Sequence, residues 1–298
     1  NVLSTFSIKE AKTGITVSAN GKIDITAEAV DRTQFTVVAK SLYGQTKEKT
    51  YTYLKLTTED HTVDGYAFDY DKSTGAGITV PLDGITNVWG IGVGNLIMEE
   101  GFTFENGNLT VPHETLLATV NGKYGDIDVK IYTSVPSVGS VCHIYKASVV
   151  SKIINNLADL QSILKDSSVA TTVDEYYILG RSFEANNSTA VGVVSCYSGN
   201  VNTGFIGIFD GRGHSISNLK VNSRGLFNGI GKGIVRNLAL VNLSSEASTL
   251  AFRAALANEV HGATIDNVFV SSADATSVVQ SAWHTTRITN SVFVVPNA

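Results

Sequence analysis

The side chains able to do acid–base chemistry are scattered along this sequence. Hydrolysis of a glycosidic bond needs two carboxyl groups held at a fixed separation, and elimination on a uronate needs a base beside a cation. Asp210 stands in Phe209-Asp210-Gly211-Arg212-Gly213-His214, where an Asp before Gly-x-Gly serves a turn by accepting backbone N–H groups. Asp266 has Ser217, Arg236 and Thr289 as its counterparts in the neighbouring repeats, so no stack of acids is expected. Glu259, His261, Asp274 and His284 follow without a spacing that pairs them. Ser195-Cys196 lacks the glycine elbow of a nucleophilic serine, nothing local makes His143 a base, and His214 reads as a turn residue. The acids of Asp64-Gly65-Tyr66-Ala67-Phe68-Asp69-Tyr70-Asp71 depart from the order of a calcium loop. Trp89-Gly90-Ile91-Gly92-Val93-Gly94 lacks the spacing of a dinucleotide fingerprint and the lysine of a P-loop, and reads as a glycine-rich strand. The expectation is a chain with no catalytic residue, metal ligand or cofactor. For ligand contact there remains Trp283 with His284, an aromatic pair able to stack on a sugar or a partner surface.

What must position these residues is a repeat. Asn218-Leu219 is echoed by Asn237-Leu238, Asn267-Val268 and Asn290-Ser291, each beside alternating aliphatic residues. Strands this short are unstable alone, but stacking them pairs their backbones and buries the inward aliphatics, which is the logic of a solenoid. The alignment reads Ile216, Leu219 and Val221, then Val235, Leu238 and Leu240, then Ile265, Val268 and Val270. It places Asn218, Asn237, Asn267 and Asn290 in one internal amide ladder at a bend, and Asp210, Gly211, Gly213 and His214 in the turn that opens it. Upstream, Val149, Ile153, Leu157, Leu160 and Leu164 recur at three- and four-residue steps, which predicts an amphipathic helix over 148–165 covering the end of the first coil.

The region in front alternates in the manner of strands. Residues 1–57 read as a small β-sandwich or part of one, 58–134 as a second, and 135–298 as a helix-capped parallel β-helix, so the chain is all-β. Cys142 and Cys196 form either one bridge or two buried thiols. A net charge of −5, with 22 basic residues thinly spread, gives no stripe for nucleic acid. No apolar run is long enough to cross a bilayer, and the first residues lack a signal pattern, so the chain reads as a trimmed piece of something longer.

Ile208-Phe209-Asp210-Gly211-Arg212-Gly213-His214, followed by Gly225-Leu226-Phe227 and Gly233-Ile234-Val235-Arg236-Asn237-Leu238, resembles the GLUG-motif repeats of bacterial cell-surface β-helical proteins. The resemblance covers about residues 150–295 and departs from the pattern at Asn228, Ala255 and Ala257. The strands within 1–57 resemble the end of bacterial immunoglobulin-like repeats. Together these resemblances imply a secreted or wall-attached adhesin-like protein that binds a glycan or a surface protein. A polysaccharide hydrolase or lyase working along the helix groove, and an inert structural stalk, stand as alternatives.

Overall fold

The computed structural model describes residues 4–61, 68–93, 96–120, 124–135, 139–166, 168–195, 200–222, 224–245 and 254–296. Small sandwich-like sheets precede a parallel β-solenoid with short helices near its start, so the all-β expectation holds. The chain divides into two compact units. One holds Asn1–Phe68, Gly77–Thr119 and Ile127–Ala147, and the other holds Asp69–Ala76, Val120–Asp126 and Ser148–Ala298.

In the first unit, Gln34–Ser41 runs antiparallel between Ser4–Ile8 and Thr46–Thr52. Alternation puts Phe35 and Val37 inward, where they join Ile15 and Ala29 in a small core. A mixed sheet follows in the order Leu96–Met98, Gly90–Val93, Gly125–Val135, Gly139–Val150, Leu56–His61, the last strand being parallel to its neighbour. The glycine-rich run is strand over Gly90–Val93, Gly94 lying outside the described residues: a Cβ at Gly92 would lie 3.0 Å from the Tyr132 ring, so glycine lets that ring pack on the backbone.

The second unit winds through three parallel faces. Face one stacks Lys152–Ile154, Tyr176–Leu179, Ile208–Asp210, the first residues of Ile234–Ser245 and of Thr264–Ser272, and Arg287–Thr289. Face two stacks Phe183–Glu184, Ser215–Ser217, the remainder of the two long strands, and Val292–Val294. Face three stacks Thr172–Val173, Gly204–Phe205, Gly229–Ile230, Ala254–His261 and Ser277–Trp283. In-register stacking lines up Tyr177, Phe209, Val235 and Ile265 inward on face one, and Ile216, Leu240 and Val270 inward on face two. All are buried, and each such side chain contributes about 1.5–3 kcal/mol.

Two corners turn on asparagine. Asn237, Asn267 and Asn290, at φ 52°, 53° and 51°, bend the chain between faces one and two. Asn218 and Asn242, at 54° and 53°, make the next bend. Most side chains are strained in this left-handed region, whereas the short polar side chain of asparagine is tolerated there. The register corrects the single ladder read from the repeats. Ser215–Ser217 pairs with Ala239, Leu240 and Val241, so Asn218 stacks on Asn242 and not on Asn237. Asn242-Leu243 repeats Asn218-Leu219, and that unread copy carries the second corner.

The predicted helix is cut to Leu157–Ile163, with Asn156 as its N-cap accepting the Asp159 N–H. Ser148–Val150 ends a long strand, and Lys152–Ile154 is the first strand of face one. Val149, Val150, Ile153 and Ile154 satisfy a helical period, but their β-branched side chains favour the pleated surface that the parallel partner offers. The short helix stands where later coils have their face-two strand, and it sends Leu160 and Ile163 into the solenoid core.

Candidate functional site

Three groupings of functional side chains emerge. The first is ionic and belongs to the outward side of face one, where Val150, Tyr176 and Ile178 form a buried cluster. Arg236 bridges two acids: its Nε donates to Asp210 Oδ2 at 2.7 Å and its Nη2 to Asp126 Oδ2 at 3.2 Å. The other Asp210 oxygen accepts the Arg212 N–H at 2.9 Å and the Asn237 amide at 3.1 Å. Asp126 also accepts the Tyr176 hydroxyl at 2.8 Å and the Ser148 hydroxyl. Arg212 Nη2 donates to Ser148 Oγ at 2.6 Å and lies 3.5 Å from Asp69 Oδ1, which accepts the Ser148 N–H.

Burial sets the protonation of this network. It pushes the Asp69 carboxyl up to about 7, against the opposing pull of Arg212. It likewise raises the Tyr176 phenol to about 12, keeping it a hydrogen-bond donor. For Asp126, burial is outweighed by bonds from Ser148, Tyr176 and Arg236, which hold it below the ordinary carboxylate range. The Arg236 guanidinium is held above its ordinary value because Asp210 and Asp126 outweigh its burial. Asp126 and Asp210 are thus a carboxylate pair, but they share one arginine, and the Asp210 side chain is 4% exposed. Such an arrangement fastens chain segments together and leaves no second acid open to a substrate.

The second grouping is a groove of about 210 Å3 along corner one. Asn267 Nδ2 donates to Asn237 Oδ1 at 2.9 Å, and the Asn237 amide in turn donates to Asp210. Asn290 Nδ2 turns to Asp266 Oδ1 at 2.9 Å, which also accepts the Thr289 hydroxyl at 2.6 Å. These donors hold Asp266 below the ordinary carboxylate range. Beside the amides runs an outward row of face two, Ala239 paired with Phe269 and Phe269 with Val292. Corner two also starts on an acid, Asn218 donating to Glu184 at 2.7 Å and Asn242 to Asn218 at 2.6 Å.

The third grouping holds the sequence-predicted pair. Trp283 is 56% exposed at the end of face three and is paired in register with His261. The His261 ring lies 6.2 Å from Trp283 in a stacked arrangement and 5.5 Å from His284, and Glu259 is 3.4 Å from His261 Nε2. His284 turns the chain at φ 57°. Trp283 and His284 therefore share a patch with His261 and Glu259, both of which read as unrelated in the sequence.

Asp210, Gly211, Gly213 and His214 build the turn from face one into face two. Gly213 has φ 79°, and its N–H donates to Asn237 O at 2.8 Å. A Cβ at Gly211 would lie 2.3 Å from that same oxygen, so only glycine lets the coils close here. His214 closes the turn through its N–H to Gly211 O.

Sequence reasoning missed Asp69, Asp126, Ser148, Tyr176 and Arg236, which come from distant segments. It also missed a line of side chains in the first unit. His143 Nε2 is 3.1 Å from Thr133 Oγ1, and its Nδ1 is 3.4 Å from Glu59 Oε2. The cross-strand pairing of His143 with Glu59 makes this contact, and Thr133 is 4% exposed, closed to a substrate. Cys142 is buried, while Cys196 lies outside the described residues, as does Asp64 of the calcium-loop candidate. Among the described residues no group of three His, Cys, Asp or Glu side chains is placed to hold a metal ion, and no helix is long and apolar enough to cross a membrane.

No family model matches the chain, and no curated protein matches it. Among solved structures, the chain is similar at 13% identity to a Bacteroides ovatus protein, SGBP-B of a mixed-linkage glucan utilization locus, in complex with a mixed-linkage heptasaccharide. That match covers 59% of this chain and 43% of the other, with a TM-score of 0.21. Mouse cadherin-23 EC22-24 is also 13% identical, over 50% of this chain and 53% of the other, with a TM-score of 0.15. The chain therefore spans about half the length of each. At such scores neither likeness bears on the solenoid or its ligand.

Proposed function

We propose that this chain is an extracellular binding module of a bacterial cell-surface protein, adhesin-like in role, whose solenoid presents a glycan- or protein-binding face. The observation that carries the reading is the groove of corner one, where stacked amides and an apolar row repeat side by side over successive coils. Polar groups at fixed spacing beside apolar surface are what orient a ligand and hold it. The exposed Trp283 and His284 offer a second contact patch on the same unit. The modules 1–57, 58–134 and 135–298 belong to the same reading, supported at the first break by the separate core around Phe35. The surface location rests on the resemblance of the Asp210 turn and its repeats to GLUG-motif proteins.

A glycan panel and a set of extracellular-matrix proteins, screened against the whole chain by biolayer interferometry, test this. Retention of one ligand, weakened by Phe269→Ala or Trp283→Ala, supports the reading. Catalytic turnover of a retained polysaccharide would replace it with the hydrolase or lyase alternative.

A further inference from the structure

The direction of the hydrogen bonds along corner one says which ligand its groove fits. Asp210 and Asp266 each accept from a neighbouring amide through a carboxyl oxygen, which fixes that amide with its nitrogen toward the acid. Asn237 then offers its carbonyl oxygen to Asn267. Here the ladder breaks, because Asn290 bonds Asp266 and not Asn267. Among the described residues no donor reaches Asn267 Oδ1 or Asn290 Oδ1. Two carbonyl acceptors, on consecutive coils whose strands stack roughly 4.8 Å apart, are thus left to an incoming donor.

Charge and backbone narrow the choice. No side chain lining the groove is charged, and the acids bonded to its amides, Asp210 and Asp266, would repel an anion. The Arg236 cation is engaged with Asp210 and Asp126, and Arg287 stands off the lining. An extended peptide would bind such a fold by adding a strand, which needs unpaired main-chain groups. At Ala239 and Phe269 the groove crosses strands paired on both sides; among the described residues Val292–Val294 is paired on one side only, and a strand added there would run beside the groove and not along it. What remains is a chain with hydroxyl donors on one side and an apolar face on the other.

We infer that the groove binds a neutral, hydroxyl-rich polysaccharide laid along the solenoid axis, its hydroxyls donating to Asn267 and Asn290 and its apolar face on Phe269 and Val292. This rests on the binding-module reading above and names the ligand class of that site. The groove is small and shallow, so the affinity for one short oligosaccharide is about 10⁻⁴–10⁻³ M.

The experiment is an NMR or calorimetric titration of the whole chain with cello-, manno- and xylo-oligosaccharides, against oligogalacturonate, a heparin fragment and an extended peptide library. Asn267→Gly keeps the positive φ of the corner and removes only the amide, and Phe269→Ala removes the apolar contact. The expected result is binding of at least one neutral oligosaccharide, weakened at least tenfold by either variant, with no response to the anions. Saturable binding of an acidic glycan or a peptide that Asn267→Gly weakens would overturn the ligand class while leaving the binding-module reading standing. Neutral-glycan binding lost in Trp283→Ala but intact in Asn267→Gly would overturn the site alone. No binding to any probe, here or among the matrix proteins, would overturn both.

Discussion

Upstream and downstream coils of one solenoid treat the same positions in opposite ways. In register, Asp210, Arg236, Asp266 and Thr289 succeed one another at the end of face one, and Gly211, Asn237, Asn267 and Asn290 follow them at the corner. Around Asp210 and Arg236, the side chains of Asp69, Asp126 and Ser148 supply partners to the polar groups, and the result is a connected ionic network. Around Asp266 and Asn290 no such side chains intervene among the described residues, and carbonyl oxygens remain open. Where protein supplies the partners, polar groups specify attachment; where it does not, the same positions become available to a ligand. One backbone repeat thus carries two roles, decided by what lies over it.

The contrast can be broken most severely at Arg236. Arg236→Ala leaves Asp210, almost fully buried, and Asp126 without their shared cation, and should cost about 4 kcal/mol in urea denaturation of the solenoid unit. Asp210→Asn in the same background should recover part of that loss; no loss at all would show that the ionic network fastens nothing.

Next in size is a pH effect confined to the covered side. The Asp69 carboxyl titrates near 7 in the folded chain and near 3.8 in the unfolded one, so the folded state binds its proton more tightly. Its contribution to stability is fully present below about pH 3.8 and is lost as pH rises through 7. Asp69→Asn should flatten the decline between pH 4 and 8 and gain on the order of 3 kcal/mol at pH 8. Asp126 and Asp266, held low, act only below that window. A denaturation series whose slope is unchanged by Asp69→Asn would contradict the assignment.

Smaller effects separate the corner positions. Gly211→Ala drives a methyl against Asn237 O and Leu238 Cα and should cost about 2 kcal/mol, seen as a fall in the melting temperature. Asn267→Gly, two coils along the same corner, should change stability by less than about 0.5 kcal/mol because glycine accepts its φ. If the two variants melt alike, the corner does not distinguish packing from ligand contact.

Much of the solenoid was legible because its physics is periodic. Inward Phe209, Val235 and Ile265 recur in strands that stack, and asparagine marks the left-handed bends. The register was not legible from Asn218 alone, since two corners per coil carry the same Asn-aliphatic signature and only Asn242-Leu243 tells them apart. The helix was overread where β-branched residues suit both periods. The ionic network had no signature at all, as Asp69, Asp126 and Arg236 are far apart in sequence and meet only in the fold. Trp283 and His284 were found by type, but their neighbours His261 and Glu259 required the pairing of two face-three strands.

Because the coils of Asn237, Asn267 and Asn290 present the same corner in turn, the groove is graduated like a ruler, one division of roughly 4.8 Å per turn. Duplicating a coil between Asn242 and Asn267 would lengthen it by one division without disturbing the core or the ions at its upper end. Reach along a polymer can thus evolve by counting, with no new chemistry to invent.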